Sequence, residues 1–101
     1  MSTKVIPAVG EMVDGSGTIT SGGTSQALFP ANASRKYLFV QNHSAGALYI
    51  NFAIDAVVTQ PSIMIAASGG TFVMDGPAVS RQAVNIIGAT TAQAFTAKEL
   101  V

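Results

Sequence analysis

These 101 residues contain no cysteine and no tryptophan, and charged side chains make up only 10% of them. Without a thiol no disulfide can supplement a small core, and no thiolate can bind zinc or attack a substrate. An ordinary soluble domain carries roughly 25% charged residues, so a fully solvated surface would be unusual here. Five basic and five acidic residues cancel to a net charge of zero. That balance gives no electrostatic basis for gripping nucleic acid or an anionic membrane, and neither is expected as a partner. A neutral, charge-poor surface favours association instead. Long apolar runs are missing as well. Mean hydropathy is +0.44, yet no stretch approaches the roughly 18 to 20 apolar residues that span a bilayer. The N-terminus does not resemble a secretion signal, because after Met1-Ser2-Thr3-Lys4 a short apolar stretch is broken by Pro7, Gly10, Glu11 and Asp14. Synthesis and use without export by that route is the expectation.

A helical period is equally absent, since no segment repeats apolar residues at i, i+3, i+4 and i+7 over several turns. What remains is one domain's worth of short strands punctuated by turn residues. Residues 1 to 14 hold Pro7 and Gly10, show no period of either kind, and read as an N-terminal arm. The run from Gly15 to Thr24 is either a linker or a first edge strand around Thr18 to Thr20, the second being preferred. Strands are then expected at Ser25–Phe29, Arg35–Gln41, Ala47–Phe52, Ser62–Ala66, Thr71–Met74, Gln82–Ile87 and Ala94–Lys98. In Arg35–Gln41, Leu38 and Val40 share one face while Tyr37 and Phe39 share the other. Both faces are apolar, which predicts a strand covered on both sides. With Asn42-His43-Ser44-Ala45-Gly46 as the turn, this strand and Ala47–Phe52 read as a hairpin. Residues 15–101 are thus expected to form an all-β sandwich of about eight short antiparallel strands, with jelly-roll or Greek-key topology.

Residues that could carry chemistry are few. His43 beside Ser44 invites a base and nucleophile reading, but no neighbouring feature nominates an orienting carboxylate or oxyanion donors. A turn histidine is the simpler assignment. Glu11, Asp14, Asp55, Asp75 and Glu99 are scattered singly and lack metal-loop spacing, and Asp75-Gly76 reads as a turn. Gly22-Gly23 and Gly69-Gly70 also read as turns, because neither leads into a helix or a Lys-Ser/Thr pair as a phosphate loop would. Asn32-Ala33-Ser34 and Asn42-His43-Ser44 are sequons, which matter only in a secreted eukaryotic protein. Arg35-Lys36 with Tyr37 and Phe39 offers too few cations for phosphate binding. Arg35 is better read as bonded to a loop carbonyl or to one of the few carboxylates. No enzyme and no cofactor is expected. The residues expected at an interface are Val5, Ile6, Val9, Arg35, Tyr37, Phe39, Tyr49 and Met64. For Tyr37, Phe39, Tyr49 and Met64, a second layer of core beneath the arm is the competing assignment.

The ordered segments S-G-G-T-S-Q-A-L-F-P-A-N at 21–32, R-K-Y-L-F-V-Q-N-H-S at 35–44, L-Y-I-N-F at 48–52, S-I-M-I-A-A-S-G-G at 62–70 and V-N-I-I-G-A-T-T-A-Q-A-F-T-A-K-E at 84–99 resemble a group of small bacteriophage virion structural proteins. The resemblance spans Gly15 to Glu99 and leaves the first fourteen residues outside it. It implies a β-sandwich building block of the particle surface, made in the bacterial host cytoplasm and carrying no catalytic residue. A capsid decoration (cement) protein is the expected role, as a homotrimer, with a dimer as the second choice, that clamps neighbouring major capsid subunits. The alternative is a tail or head fibre module that stacks host glycans on Tyr37 and Tyr49, assisted by loop Asn and Gln side chains.

Overall fold

The computed structural model describes residues 11–101, and within them the chain is an all-β sandwich. Nine strands form: β1 (Met12–Asp14), β2 (Gly17–Thr18), β3 (Gln26–Phe29), β4 (Tyr37–Asn42), β5 (Leu48–Phe52), β6 (Ile63–Ile65), β7 (Thr71–Asp75), β8 (Val84–Gly88) and β9 (Ala94–Leu100). The only helical element among the described residues is a single 3-10 turn, Gly76–Ala78. Sheet A runs β1-β9-β4-β7, with β2 extending β1 along the same partner, and sheet B runs β3-β8-β5-β6. Every pairing is antiparallel. Taking β1 and β2 as one interrupted strand, this order is that of a jelly roll, in which two four-strand layers face each other.

Alternation decides which residues fill the space between the layers. Leu38 and Val40 of β4, Leu48 and Ile50 of β5, and Val84 and Ile86 of β8 are all fully buried, as period-2 patterning requires when only one face meets the core. Ile19, Phe29, Ile65, Val79, Phe95 and Ala97 complete that core. Met12–Asp14, the last part of the segment read as an arm, is strand β1. Met12 lies opposite Leu100 and Asp14 opposite Lys98.

One expected connection differs. β4 and β5 do not form a hairpin, because β4 belongs to sheet A and β5 to sheet B. The turn between them carries the chain across the sandwich, and the side chain of Asn42 holds that crossing. Asn42 is fully buried, its Nδ2 donates to the carbonyls of Gly46 (2.8 Å) and Ile65 (3.1 Å), and its Oδ1 accepts from the Ser44 N–H (2.8 Å). A side-chain amide thereby takes the place of ladder bonds where the backbone leaves one sheet for the other. The connection to β7 turns on Gly69, at φ +103°, and on Gly70, where a Cβ would collide with the Ala66 carbonyl. The second glycine pair is therefore the turn that the sequence predicts.

Asn42→Ala would take the amide donor from the buried Ile65 carbonyl and the acceptor from the Ser44 N–H, while the Gly46 carbonyl keeps the donors of Gln93 and Ser44. An unsatisfied buried polar group costs about 1–3 kcal/mol. A urea melt should show that loss as a lower midpoint with an unchanged slope, and a midpoint equal to the parent's would contradict the assigned role.

Candidate interaction surfaces

Each end of the sandwich is closed by a buried polar side chain. At one end Gln93 donates from Nε2 to the Ser44 hydroxyl (2.9 Å) and the Gly46 carbonyl (3.0 Å), while its Oε1 accepts from the Thr90 N–H (3.0 Å). These bonds join the β4–β5 and β8–β9 loops. Between the loops lies an open depression of about 280 Å³ lined by Thr90 and Thr91 as well as Ser44 and Gln93, and the Ser44 hydroxyl and Gln93 amide are already bonded to one another. His43 is exposed, and its Nε2 lies 2.7 Å from Thr96 Oγ1 rather than near Ser44. Ser44 Oγ instead sits 2.7 Å from Asn42 Oδ1 and 2.8 Å from the Gly46 carbonyl. The sequence neighbours His43 and Ser44 are thus not brought together as base and nucleophile. No cluster of His, Asp and Glu with the makings of a metal site occurs among the described residues.

The opposite end is held by Arg35. Its Nε donates to Glu99 Oε1 (2.6 Å), Nη1 to the carbonyls of Ser80 (2.9 Å) and Gln82 (2.8 Å), and Nη2 to that of Pro30 (2.8 Å). Its guanidinium carbon lies 5.9 Å from the centroid of the Phe29 ring, a favourable cation–π distance. Both of the arginine's expected partners, a loop carbonyl and a carboxylate, are present at once. Its place among the interface residues is corrected, because the side chain is wholly buried and cannot meet another molecule. A rigid planar fork of donors suits this site, where four acceptors converge on one group.

The other expected interface residues divide between two surfaces. Val5, Ile6 and Val9 lie outside the described residues. Tyr37 and Phe39 are half-buried on the outer face of sheet A. Register lines them up in rows with Met12 and Leu100, and with Lys98 and Val73. Tyr49 and Met64 are neighbours on the outer face of sheet B, so the four aromatic and methionine side chains do not make one patch. No single sugar could stack on both Tyr37 and Tyr49. Across sheet B's outer face runs the segment after β5. It is held by Asn51 Nδ2 to the Asp55 carbonyl (3.2 Å), Asn85 Nδ2 to the Ile54 carbonyl (2.8 Å) and the Ala56 N–H to Ser25 Oγ (2.9 Å).

No protein-family model matches this chain, and no curated protein sequence matches it either. Among solved structures, a protein from the disulfide-linked pili of Bacillus endospore appendages aligns over 99% of this chain and 96% of its own, with 18% identity and a TM-score of 0.49. A likeness of that degree says nothing of what this chain does. Disulfide linkage is in any case not open to these residues, which hold no cysteine.

Several surface residues were not anticipated from the sequence. On sheet A they are Met12, 53% exposed, and Val73, 47% exposed. On the sheet B side Ile54 and Val58, in the segment between β5 and β6, are exposed, as is Met64. Val73 was legible in the alternation of Thr71-Phe72-Val73-Met74, which puts an apolar side chain on each face. Ile54 and Val58 lie in an irregular segment, where no period marks a side as outward.

Charge on the outer face of sheet A comes from Asp75 at the end of β7 and from a local pair, Asp14 and Lys98. The Ser16 hydroxyl (2.6 Å) and Ser16 N–H (3.2 Å) donate to Asp14 Oδ1, and Lys98 Nζ approaches to 3.2 Å. The serine's bonds, and then the lysine, hold the Asp14 carboxyl below the ordinary value of 3.8.

Two outcomes are expected. Arg35→Met leaves Glu99 buried without its cation and should lower stability by about 3–5 kcal/mol. Adding Glu99→Leu should recover only part of this, since the carbonyls of Pro30, Ser80 and Gln82 still lack their donor. A double-mutant cycle read by chemical denaturation checks both, and a mild Arg35→Met would contradict the assignment. For Asp14 the folded value is depressed, so its contribution is present above the ordinary 3.8 and is lost as pH falls through the folded value. Carboxyl NMR should find Asp14 titrating below 3.8 in the parent and nearer to it in Ser16→Ala. A parent Asp14 titrating at 3.8 or above would contradict this.

Proposed function

We propose that this chain is a non-enzymatic structural protein of a bacteriophage particle, a capsid decoration (cement) protein. It associates with copies of itself and docks across neighbouring major capsid subunits at the particle surface. The observation that carries this reading is the presence of large apolar side chains on both outer faces of a very small sandwich. Met12, Tyr37, Phe39 and Val73 lie on one face, and Tyr49, Ile54, Val58 and Met64 lie on the other side. Contiguous apolar patches are uncommon on free monomers and mark sites that another molecule covers. With so few ionised groups, the surface has little else to keep it solvated as a single molecule.

Two apolar sides suit a component that bridges neighbours. A bridging component gains from each successive contact, because the first holds the second at high effective concentration. Each contact can then be individually weak. The expected result is concentration-dependent association in sedimentation velocity, together with a rise in the thermal stability of particles when the protein is added to particles stripped of it. A protein that stays monomeric at high concentration and leaves the particles unchanged would overturn the proposal. A glycan-array screen tests the fibre alternative, which requires a sugar-dependent signal.

A further inference from the structure

The sides of the sandwich are not equivalent. On the side of β2 and β3, Gln26 ties the sheets together, with its Nε2 donating to the Thr18 carbonyl (3.1 Å) and its Oε1 accepting from the Thr20 N–H (2.8 Å). On the side of β6 and β7, no such bond joins the two edge strands among the described residues. Instead apolar side chains line the gap. Phe72 and Met74 pack against the core yet are only partly buried, Ile63 is 38% exposed, and the rings of Phe52 and Phe72 meet at 6.3 Å.

β7 is the longer of these two edges, and its hydrogen-bond parity can be read off the ladder. The Asn42 N–H donates to the Gly70 carbonyl (2.9 Å) and the Gly69 N–H to the Asn42 carbonyl (2.6 Å). In an antiparallel pair, bonded and non-bonded positions alternate. Val40–Phe72 and Leu38–Met74 are therefore the bonded pairs, while the N–H and C=O groups of Thr71, Val73 and Asp75 point away from β4. No described residue satisfies them. Edge strands are usually blunted by lysine, proline or a bulge. The sequence Thr71-Phe72-Val73-Met74-Asp75 has none of these.

We propose that the free edge of β7 joins two copies of this chain, pairing antiparallel about a two-fold axis through Val73. This register is self-complementary at every position. Val73 lies opposite its own copy, and each Thr71 lies opposite the other copy's Asp75, so no like charges meet and a hydroxyl faces a carboxylate. All three of these pairs bring outward-pointing backbone groups together, which the ladder parity requires. On the inner side Phe72 faces the other copy's Met74, a thioether–aromatic contact, and their half-covered surfaces close over the open gap. On the outer side the pair Phe39, Val73 continues into its symmetry mate, giving four apolar side chains in a row across the seam with Lys98 at each end. β6 is a poorer candidate, since its three residues offer too little edge.

This inference rests on the self-association proposed above and names where it occurs. An edge of this length buries less than the roughly 800 Å² per partner of a standard stable interface. The isolated dimer is accordingly weak, and association has to be measured at high concentration. Three variants test it. Val73→Lys adds a charge at the axis and should raise the dimer dissociation constant at least about tenfold. Val73→Pro removes an N–H that points out of the sheet, where proline is tolerated, and should abolish pairing while circular dichroism remains that of the parent. Val73→Cys introduces the sole thiol of the chain. It should be captured as a dimer by the shortest bis-maleimide far faster than Thr90→Cys, a control on the exposed β8–β9 loop.

A parent that associates while Val73→Lys and Val73→Pro associate equally well, with Val73→Cys no faster than the control, would overturn the β7 edge and leave self-association standing. A parent that never associates would overturn both.

Discussion

A guanidinium buried among four chain segments sets the terms for the rest of this molecule. Arg35 precedes β4, and its bonds reach the end of β3 at Pro30, the β7–β8 connection at Ser80 and Gln82, and β9 at Glu99. Two of those segments lead into sheet B and β9 belongs to sheet A, so one side chain fixes the spacing of the layers at that end. Ion pairs removed from water gain little net stability, because desolvation offsets the attraction. The value of this pair is therefore better sought in geometry than in energy. It leaves only one arrangement of four strand ends in which every buried acceptor has its donor. Gln93 and Asn42 perform the neutral counterpart at the other end. Between these polar closures the core can be wholly aliphatic and aromatic.

Closing both ends leaves the sides as the places where the sandwich can be extended, and the two sides are treated differently. Gln26 stitches one of them, whereas β6 and β7 leave theirs unstitched and apolar. The outer faces differ as well. Sheet B is partly roofed by its own chain, through the asparagine-anchored segment after β5, and the outer face of sheet A carries among the described residues the charges of the Asp14–Lys98 pair and of Asp75. Ile54, Val57, Val58, Ile63 and Met64 still leave apolar surface exposed on the sheet B side, and the described residues leave the outer face of sheet A and the β7 edge open as well. The latter two surfaces are continuous, because Val73 belongs to both.

Much of the strand inventory could be read from residue order, because alternation reports directly on which side chains face a core. The expected strands from Ser25 onward all exist within a residue or two, and Leu38, Val40, Leu48, Ile50, Val84 and Ile86 are the buried members. Alternation is silent on which sheet a strand joins, and so the β4–β5 connection looked like a hairpin and proved to be a crossing. β1 escaped notice because three residues with one half-buried valine show no period, and its pairing partner lies at the far end of the chain. Arg35 illustrates a different limit. Its carbonyl partners come from loops that adjoin it only after folding, so a cation at a strand start looked as suited to a surface as to the interior. Tyr37 and Tyr49 were grouped by chemistry, and the crossing between their strands is what separates them.

The position of β9 has a consequence for how the molecule is made. This strand occupies the middle of sheet A, between β1 and β2 on one side and β4 on the other, yet among the nine described strands it comes last in sequence. Until it emerges from the ribosome, its neighbours border an empty slot, and Arg35 has no carboxylate. Contacts this distant in sequence make folding slow. A vacant central slot also accepts the β9 of whichever copy arrives first. The topology thus carries a standing risk of strand exchange between nascent chains, lowest when each polypeptide finishes synthesis apart from its siblings.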